Sequence, residues 1–413
     1  MFSSRIQGDL GPTRLASVVE RIRRDGRPLI DLTESNPTRA GFDYPPDLLA
    51  GLGHRRALAY APQPLGALEA RRAVAADYQR RHLRVPAERI VLTASTSEAY
   101  SLLFKVLCDP GDEVLVPRPS YPLFDHLTRF EGVAAAPYDL EYHGSWSIDV
   151  ASVERALSAR TRAILVVSPN NPTGSFIKPH ELDRLAALCA PAGLAIVADE
   201  VFADYELMPG AGAAGGRPLD RGDVLAFSFG GLSKSIGLPQ VKLGWMAVAG
   251  PDAAVGAALA RLELACDTYL SVSTPVQEAA ADLLLRGAAV RRQIQARVAA
   301  NYQHLVAAAA AVPACRALRA EGGWYGVLQV PSLGSEEELV LDLVETERVL
   351  THPGYFFDFA SESYLIVSLL VRESEFVEGV SRVLRRLDRA VPPASAVTPA
   401  PGAPRPGGRR LTS

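Results

Sequence analysis

With 413 residues, 48% of them apolar and 22% charged, the chain can bury more than one core, and two domains are expected. A formal net charge of −3 leaves no basic footprint for nucleic acid or an anionic membrane surface. The four cysteines, Cys108, Cys189, Cys266 and Cys315, lack metal or redox spacing, so free thiols in a reducing compartment and no metal site are expected. The first residues form no apolar signal core, and no stretch is long enough to span a bilayer; the expectation is a soluble cytoplasmic protein.

Along the chain, short runs rich in Val, Ile and Leu fall at 89–93, 113–116, 133–138, 163–167, 194–198, 224–228 and 245–248. Between several of them lie segments with apolar residues three or four apart, such as Leu182, Leu185, Ala186 and Leu188. This βαβ rhythm predicts an α/β fold with a mainly parallel, seven-stranded sheet sandwiched by helices. Ligands of such sheets sit beyond the carboxyl ends of the strands. Asn171 and Asp199 each follow a run directly, and Lys234 lies a few residues beyond another. From about residue 271 the pattern changes to helices over 277–285 and 290–311. Strands at 324–330 and 364–370 follow, with helices at 336–350 and 374–387, which together read as a smaller α+β domain. The Pro-, Gly-, Ala- and Ser-rich stretch 391–413 has almost no core-forming side chains and is expected to be disordered. No internal repeat is present.

Lys234 lies within Ser228-Phe229-Gly230-Gly231-Leu232-Ser233-Lys234-Ser235-Ile236-Gly237. Small neighbours let a bulky group reach the amine, and a desolvated lysine loses its proton more readily. Both properties suit a lysine that holds pyridoxal phosphate as a Schiff base, although a lone lysine is more often a solvated surface residue. Upstream stand Asn170-Asn171-Pro172-Thr173-Gly174 and, at the end of an apolar run, Asp199-Glu200. Together and in this order the motifs resemble the aspartate aminotransferase family, pyridoxal-phosphate enzymes of fold type I. The resemblance covers roughly residues 29–387. It implies an N-terminal arm (1–45) contributing to the small domain and to a dimer, a large cofactor-binding domain (46–270) and a small C-terminal domain (271–390).

The resemblance also assigns roles. Lys234 is the Schiff-base lysine and general base. Asp199 matches the aspartate that keeps the cofactor's ring nitrogen protonated; by itself it is also a plausible helix N-cap. Asn171 matches the asparagine bonded to the ring's 3-oxygen, in what is otherwise an ordinary turn sequence. Tyr121 matches the aromatic residue stacked on the ring. Ser95, Thr96 and Ser97, at an expected helix start, supply phosphate donors. Lys242, eight residues after Lys234, stands where the family has a phosphate-contacting arginine, so charge is kept and the bidentate fork is lost. Tyr60 resembles the tyrosine that reaches the neighbouring subunit's phosphate, which implies a homodimer with shared sites.

Two positions depart from the family pattern. Phe202 replaces the tyrosine three residues after the aspartate, and Tyr205 is not expected to reach its place. In Tyr364-Leu365-Ile366-Val367-Ser368, Ile366 stands where most members have the arginine that binds the substrate's α-carboxylate. Arg39 and Arg372 are candidate replacements, each also an ordinary surface arginine. The aromatic stretch 352–359 is a candidate apolar wall facing the substrate, or simply core.

The activity implied is transfer of an amino group from an amino acid, or an amine, to a 2-oxo acid. The same cofactor also supports elimination, decarboxylation, racemisation or cyclisation, and a specialised enzyme of that kind is the alternative. A ligand sensor fused to a DNA-binding domain is not expected, since the catalytic-type region begins almost at once and no basic patch is present.

Overall fold

The computed structural model describes residues 3–6, 11–332, 334–361 and 363–390; the tail 391–413 lies outside the described residues. Helix α1 (Arg14–Arg24) starts at Thr13, whose Oγ1 accepts from the Ala16 amide at 3.2 Å, and ends in a basic turn that suits the helix dipole. It buries Val19 and Ile22 and carries exposed ion pairs from Arg14 to Glu338 and from Arg21 to Glu345. The following strand β1 (Ile30–Asp31) pairs in parallel with residues Val349–Leu350. The N-terminal segment is thereby fastened to the C-terminal third of the chain.

The main sheet contains β2 (Ile90–Thr93), β3 (Glu113–Arg118), β4 (Ala134–Tyr142), β5 (Trp146–Ile148), β6 (Thr161–Val167), β7 (Ala195–Asp199), β8 (Ala226–Gly231) and β9 (Gly244–Ala249). Their spatial order is β2-β9-β8-β7-β6-β3-β4-β5. The strands from β8 to β4 run parallel, while β9 is antiparallel to both β8 and β2. All seven expected strands are present. The eighth, β5, is a three-residue hairpin partner of β4, too short to show a period of its own.

Side-chain alternation explains the near-continuous apolar runs. Leu165, Val197, Phe227 and Met246 enter one buried cluster, and Ile164, Val166, Ile196 and Ala226 enter another on the opposite face. Helix α2 (Leu68–Gln79) packs toward β2, and α3 (Thr96–Leu107) lies against β8 and β9.

The second sheet is antiparallel. Here β10 (Arg316–Ala317), β11 (Tyr325–Gln329), β13 (His352–Pro353) and β14 (Tyr364–Ser368) take the order β10-β11-β14-β13, while β12 (Val349–Leu350) pairs with β1. The helix expected over 336–350 is shorter. It runs from Glu336 to Asp342, loosens into a π turn over Leu343–Glu347, and stops at Arg348 with φ +58°.

The helices expected at 277–285 and 290–311 are one 37-residue helix, Thr274–Ala310. Gly287 lies inside it, where a Cβ would come 2.6 Å from the Ile236 side chain. A mid-helix glycine costs about 1 kcal/mol, and here it lets the helix pass close over the Lys234 turn. No helix among the described residues is long and apolar enough to cross a membrane.

Candidate active site

Strand β8 ends at Gly231 and passes directly into the single helical turn Leu232–Ser235, which carries Lys234. Buried polar groups pin this turn from below. The Tyr205 hydroxyl donates to the carbonyls of Lys234 (2.6 Å) and Ser235 (3.0 Å). Arg291, on the long helix, donates to the Ser235 carbonyl (3.0 Å) and hydroxyl (2.8 Å), and its charge is matched by Asp77 and Asp204, each at 3.3 Å. Tyr44 donates to the Gly237 carbonyl at 2.7 Å. Fixed backbone of this kind holds a reacting side chain in one place.

The Lys234 amine lies 5.1 Å from the centroid of the Trp324 ring and 5.7 Å from that of Phe202. Burial lowers its pKa, and the negative charge of Asp199 works against that shift. Asp199 ends β7 and is itself buried. Burial raises its pKa from 3.8 to about 6. Opposing the rise are the Val201 amide, donating to Oδ1 at 3.2 Å, the Tyr100 hydroxyl, donating to Oδ2 at 2.9 Å, and the Lys234 charge. Glu200, beside it, adds to the rise; that carboxylate accepts from Ser228 at 2.7 Å and Arg81 at 3.2 Å.

Lys234 and Asp199 share a cavity of about 300 Å³ with Asn171, Tyr121, Ser95, Thr96, Ser97 and Lys242. Those eight residues, expected from motifs scattered over nearly 150 positions, thus meet in one space. Tyr60 does not join them. It is 79% exposed and lines a separate cleft of about 330 Å³ with Tyr269 and Leu270.

Several groups fit pyridoxal phosphate. The Asn171 side-chain oxygen is buried without a hydrogen-bond partner and belongs to a residue lining the cavity; with that acceptor free, the side-chain amide has capacity for a polar ligand, its NH2 being the group able to donate to an oxygen. At the start of α3, Ser95 Oγ accepts from the Glu98 amide at 3.1 Å. The amides of Thr96 and Ser97 precede the first intrahelical bond, and their residues line the cavity. Gly244 closes over this turn: a Cβ there would stand 2.9 Å from the Ser95 carbonyl carbon and 3.1 Å from the Thr96 nitrogen. Lys242, in the left-handed region at φ +60°, brings a positive charge to the same cavity. A helix start with hydroxyls and a cation is a suitable phosphate cradle.

Sequence reasoning did not find Tyr100, Ser35 or Tyr325, all of which line the cavity. Tyr100 follows Thr96 by four residues on the same helix, but an aromatic among apolar neighbours gives no sign that its hydroxyl meets a carboxylate 99 positions away. Arg291 was missed for a similar reason, since its partners come from three other segments.

Phe202 is at the cavity wall and brings no hydroxyl, with Trp324 edge-on at 5.2 Å. Tyr205 is fully buried and its hydroxyl is engaged with the lysine turn, in keeping with the expectation that it does not take the missing tyrosine's place. Ile366 is fully buried against Trp146, Leu318, Val327 and Phe357, outside the lining. Arg39 and Arg372 are both exposed and neither lines the cavity. Among the described residues, Lys234 and Lys242 are the cations that do. The stretch 352–359 does not form the wall either: Phe357 turns into the core, while Tyr355 and Phe356 stand about half exposed. Aromatic residues from elsewhere, Tyr121, Phe124, Phe202 and Tyr325, supply it.

The family model "Aminotransferase class I and II" matches residues 27–382. The alanine aminotransferase of Mycobacterium tuberculosis is 27% identical over 384 residues, covering 88% of this chain and 86% of that protein. The glutamate-pyruvate aminotransferase of Escherichia coli K12 is 26% identical over 377 residues, covering 89% and 92%. Among solved structures, an alanine aminotransferase from Pyrococcus furiosus superimposes with a TM-score of 0.83 at 23% identity, covering 94% of this chain and all of the other. A mutant aspartate aminotransferase from Thermus thermophilus gives 0.79 at 25% identity, covering 93% and 99%.

Proposed function

The chain belongs to the class I and II aminotransferase family, and from that premise we propose that Lys234 carries pyridoxal phosphate as a Schiff base and acts as the proton carrier. Pyridoxal-phosphate-dependent transamination between an amino acid and a 2-oxo acid is the activity of this fold type I enzyme. One observation carries the assignment of its residues: Lys234, Asp199, Asn171 and the first turn of α3 surround a single cavity.

The bound cofactor supplies an electron sink for the charge left when a bond to the donor's α-carbon breaks. The protein's part is to place groups around it. Lys234, whose ammonium form is disfavoured by burial, provides a neutral amine able to take the proton from that α-carbon. Asp199 would hold a negative charge toward the ring nitrogen, Asn171 would offer its amide to the 3-oxygen, and Tyr121 would stack on the ring. Thr96, Ser97 and Lys242 would hold the phosphate. In this reading residues 46–270 carry the cofactor, while 271–390 together with the 1–45 arm close over the substrate.

The alanine and glutamate-pyruvate activities of the relatives make a small amino acid donor and a 2-oxo acid acceptor the reading we favour. With Ile366 buried and, among the described residues, Lys234 and Lys242 the only cations lining the cavity, the donor's carboxylate rests on neutral groups such as Ser35 and Tyr325 rather than on a guanidinium clamp. The test is a single turnover of the pyridoxal form with a panel of amino acids and amines. Conversion to pyridoxamine phosphate with release of a 2-oxo acid supports the reading; product or ammonia without pyridoxamine phosphate overturns it in favour of lyase-type chemistry.

The cradle has its own test. Gly244→Ala places a methyl against backbone that has little freedom to yield, and pyridoxal phosphate affinity of the apoprotein is expected to fall at least about tenfold, a loss of about 1.4 kcal/mol. Fluorescence titration measures it, and unchanged affinity would remove the α3 start from the phosphate site.

We further infer a homodimer, supported by the exposed Leu58, Tyr60 and Tyr269. Sedimentation of the holoenzyme at micromolar concentration should give twice the 44.2 kDa chain mass, and a monomer would deny Tyr60 a part in any shared site. A cytoplasmic location is consistent with four free cysteines.

A further inference from the structure

We propose that Tyr100 is a positioning residue for the cofactor: its hydroxyl, donating to Asp199 Oδ2 at 2.9 Å, fixes that carboxylate and keeps it charged toward the ring nitrogen. The proposal rests on the assignment of Asp199 made above. It concerns a residue that no motif of the sequence singled out.

The geometry favours a specific role for the hydroxyl over one in packing. Tyr100 is 2% exposed. Its ring is held edge-on by Phe229 (centroids 4.7 Å, 79°) and Phe124 (5.6 Å, 70°) and tilted against Phe104 (5.8 Å). A phenylalanine would satisfy that aromatic niche as well as a tyrosine does. A buried hydroxyl has to be hydrogen-bonded to avoid a large desolvation cost, and this one spans 99 positions of sequence to reach the carboxylate. Burial, together with the charge of Asp199, also moves the phenol's pKa well above its ordinary value. The group is therefore a neutral donor at every working pH, and a fixed donor favours the charged form of its acceptor.

The Val201 amide donates to the other oxygen, Oδ1, at 3.2 Å. The carboxylate is thus anchored at both ends, by the backbone that follows β7 and by α3, which fixes its plane as well as its place. Helix α3 does two things at once. Its first turn carries Thr96 and Ser97, and its second carries Tyr100, four residues and about 6 Å farther along the axis. The span suits a ligand with a phosphate at one end and a ring nitrogen toward the other. One rigid helix sets the distance between the phosphate cradle and the carboxylate, a separation that two independent loops would hold less firmly.

The test compares apoprotein affinities for pyridoxal phosphate and for its analogue with the ring nitrogen replaced by carbon, in wild type, Tyr100→Phe and Asp199→Asn. In Tyr100→Phe the preference for the natural cofactor should fall about tenfold, as for a lost hydrogen bond to a charged group. Affinity for the carbon analogue should stay within about twofold of wild type on the same scale. A merely structural role would weaken both ligands equally and overturns the proposal. If Asp199→Asn loses the preference while Tyr100→Phe keeps it, Tyr100 is idle and the Asp199 assignment stands. If neither variant changes the preference, the Asp199 assignment itself fails, and the proposal fails with it. Should Tyr100→Phe not fold, site-specific 3-fluorotyrosine at position 100 replaces it. This stronger donor of nearly the same shape should raise the preference, and an unchanged preference overturns the proposal.

Discussion

Lys234→Ala is expected to lower turnover by at least about 10⁴-fold while leaving the fold intact. A positioned proton carrier contributes about 10²–10⁴, and loss of the covalent link to the cofactor adds to that. Among the described residues the other cation of the cavity is Lys242, eight positions along the chain, with its backbone in the left-handed region at φ +60°; it is not expected to take over. The aromatic rings nearest the lysine amine, Trp324 and Phe202, have no basic group. Lys234→Arg separates charge from chemistry, because a guanidinium keeps the positive charge but does not deprotonate in proteins. Both variants should therefore be inactive in a single-turnover assay, with circular dichroism like that of wild type. Turnover above one hundredth of wild type in either, on the scale of that 10²–10⁴ contribution, would exclude Lys234 as the base.

The same region shows which kinds of structure can be read from the chain. Runs such as 163–167 and 194–198 are apolar on both faces because both faces of β6 and β7 are covered, and a buried parallel strand is hard to mistake. Residues at the ends of such strands inherit their place from the sheet, which is why Asn171, Asp199 and Lys234 converge as expected. Features set by distant partners leave no such trace. Strand β5 exists because β4 offers it an edge. Tyr100, Tyr205 and Arg291 carry ordinary local signals, and their importance lies in hydrogen bonds to residues tens of positions away. The gap expected between 285 and 290 falls on Gly287-Ala288-Ala289, which weakens the helical periodicity, and Gly287 is what the helix's close passage over Ile236 requires. The 352–359 stretch shows the converse: aromatic density marks burial without saying toward which space, and Phe357 faces the core cluster around Ile366.

Asp199→Asn should reduce turnover roughly a thousandfold and, in the apoprotein, remove a pH dependence of stability. The first effect is electrostatic. Asparagine keeps the shape and can still accept from Tyr100, but the charge proposed to face the ring nitrogen is gone; at close range in a buried site such an attraction is worth about 4 kcal/mol. The second follows from burial. In the folded apoprotein Asp199 titrates at about 6, against 3.8 as its ordinary value, so between those values the native state holds a proton that the unfolded chain has released. Stability then falls as pH rises through that window, since the native state binds more protons there. The full cost above the window is about 3 kcal/mol. Asp199→Asn escapes this cost, so its advantage over wild type should grow from pH 4 to pH 6.5 and then level off. With the cofactor bound the order is expected to invert, because the carboxylate then has a cationic partner that asparagine cannot match. Urea unfolding of both apoproteins at pH 4, 5, 6 and 7, repeated with pyridoxal phosphate, measures each step. A difference that does not vary with pH in the apoproteins would mean that the carboxylate is not held poised by burial, and the electrostatic account of the site would lose its foundation.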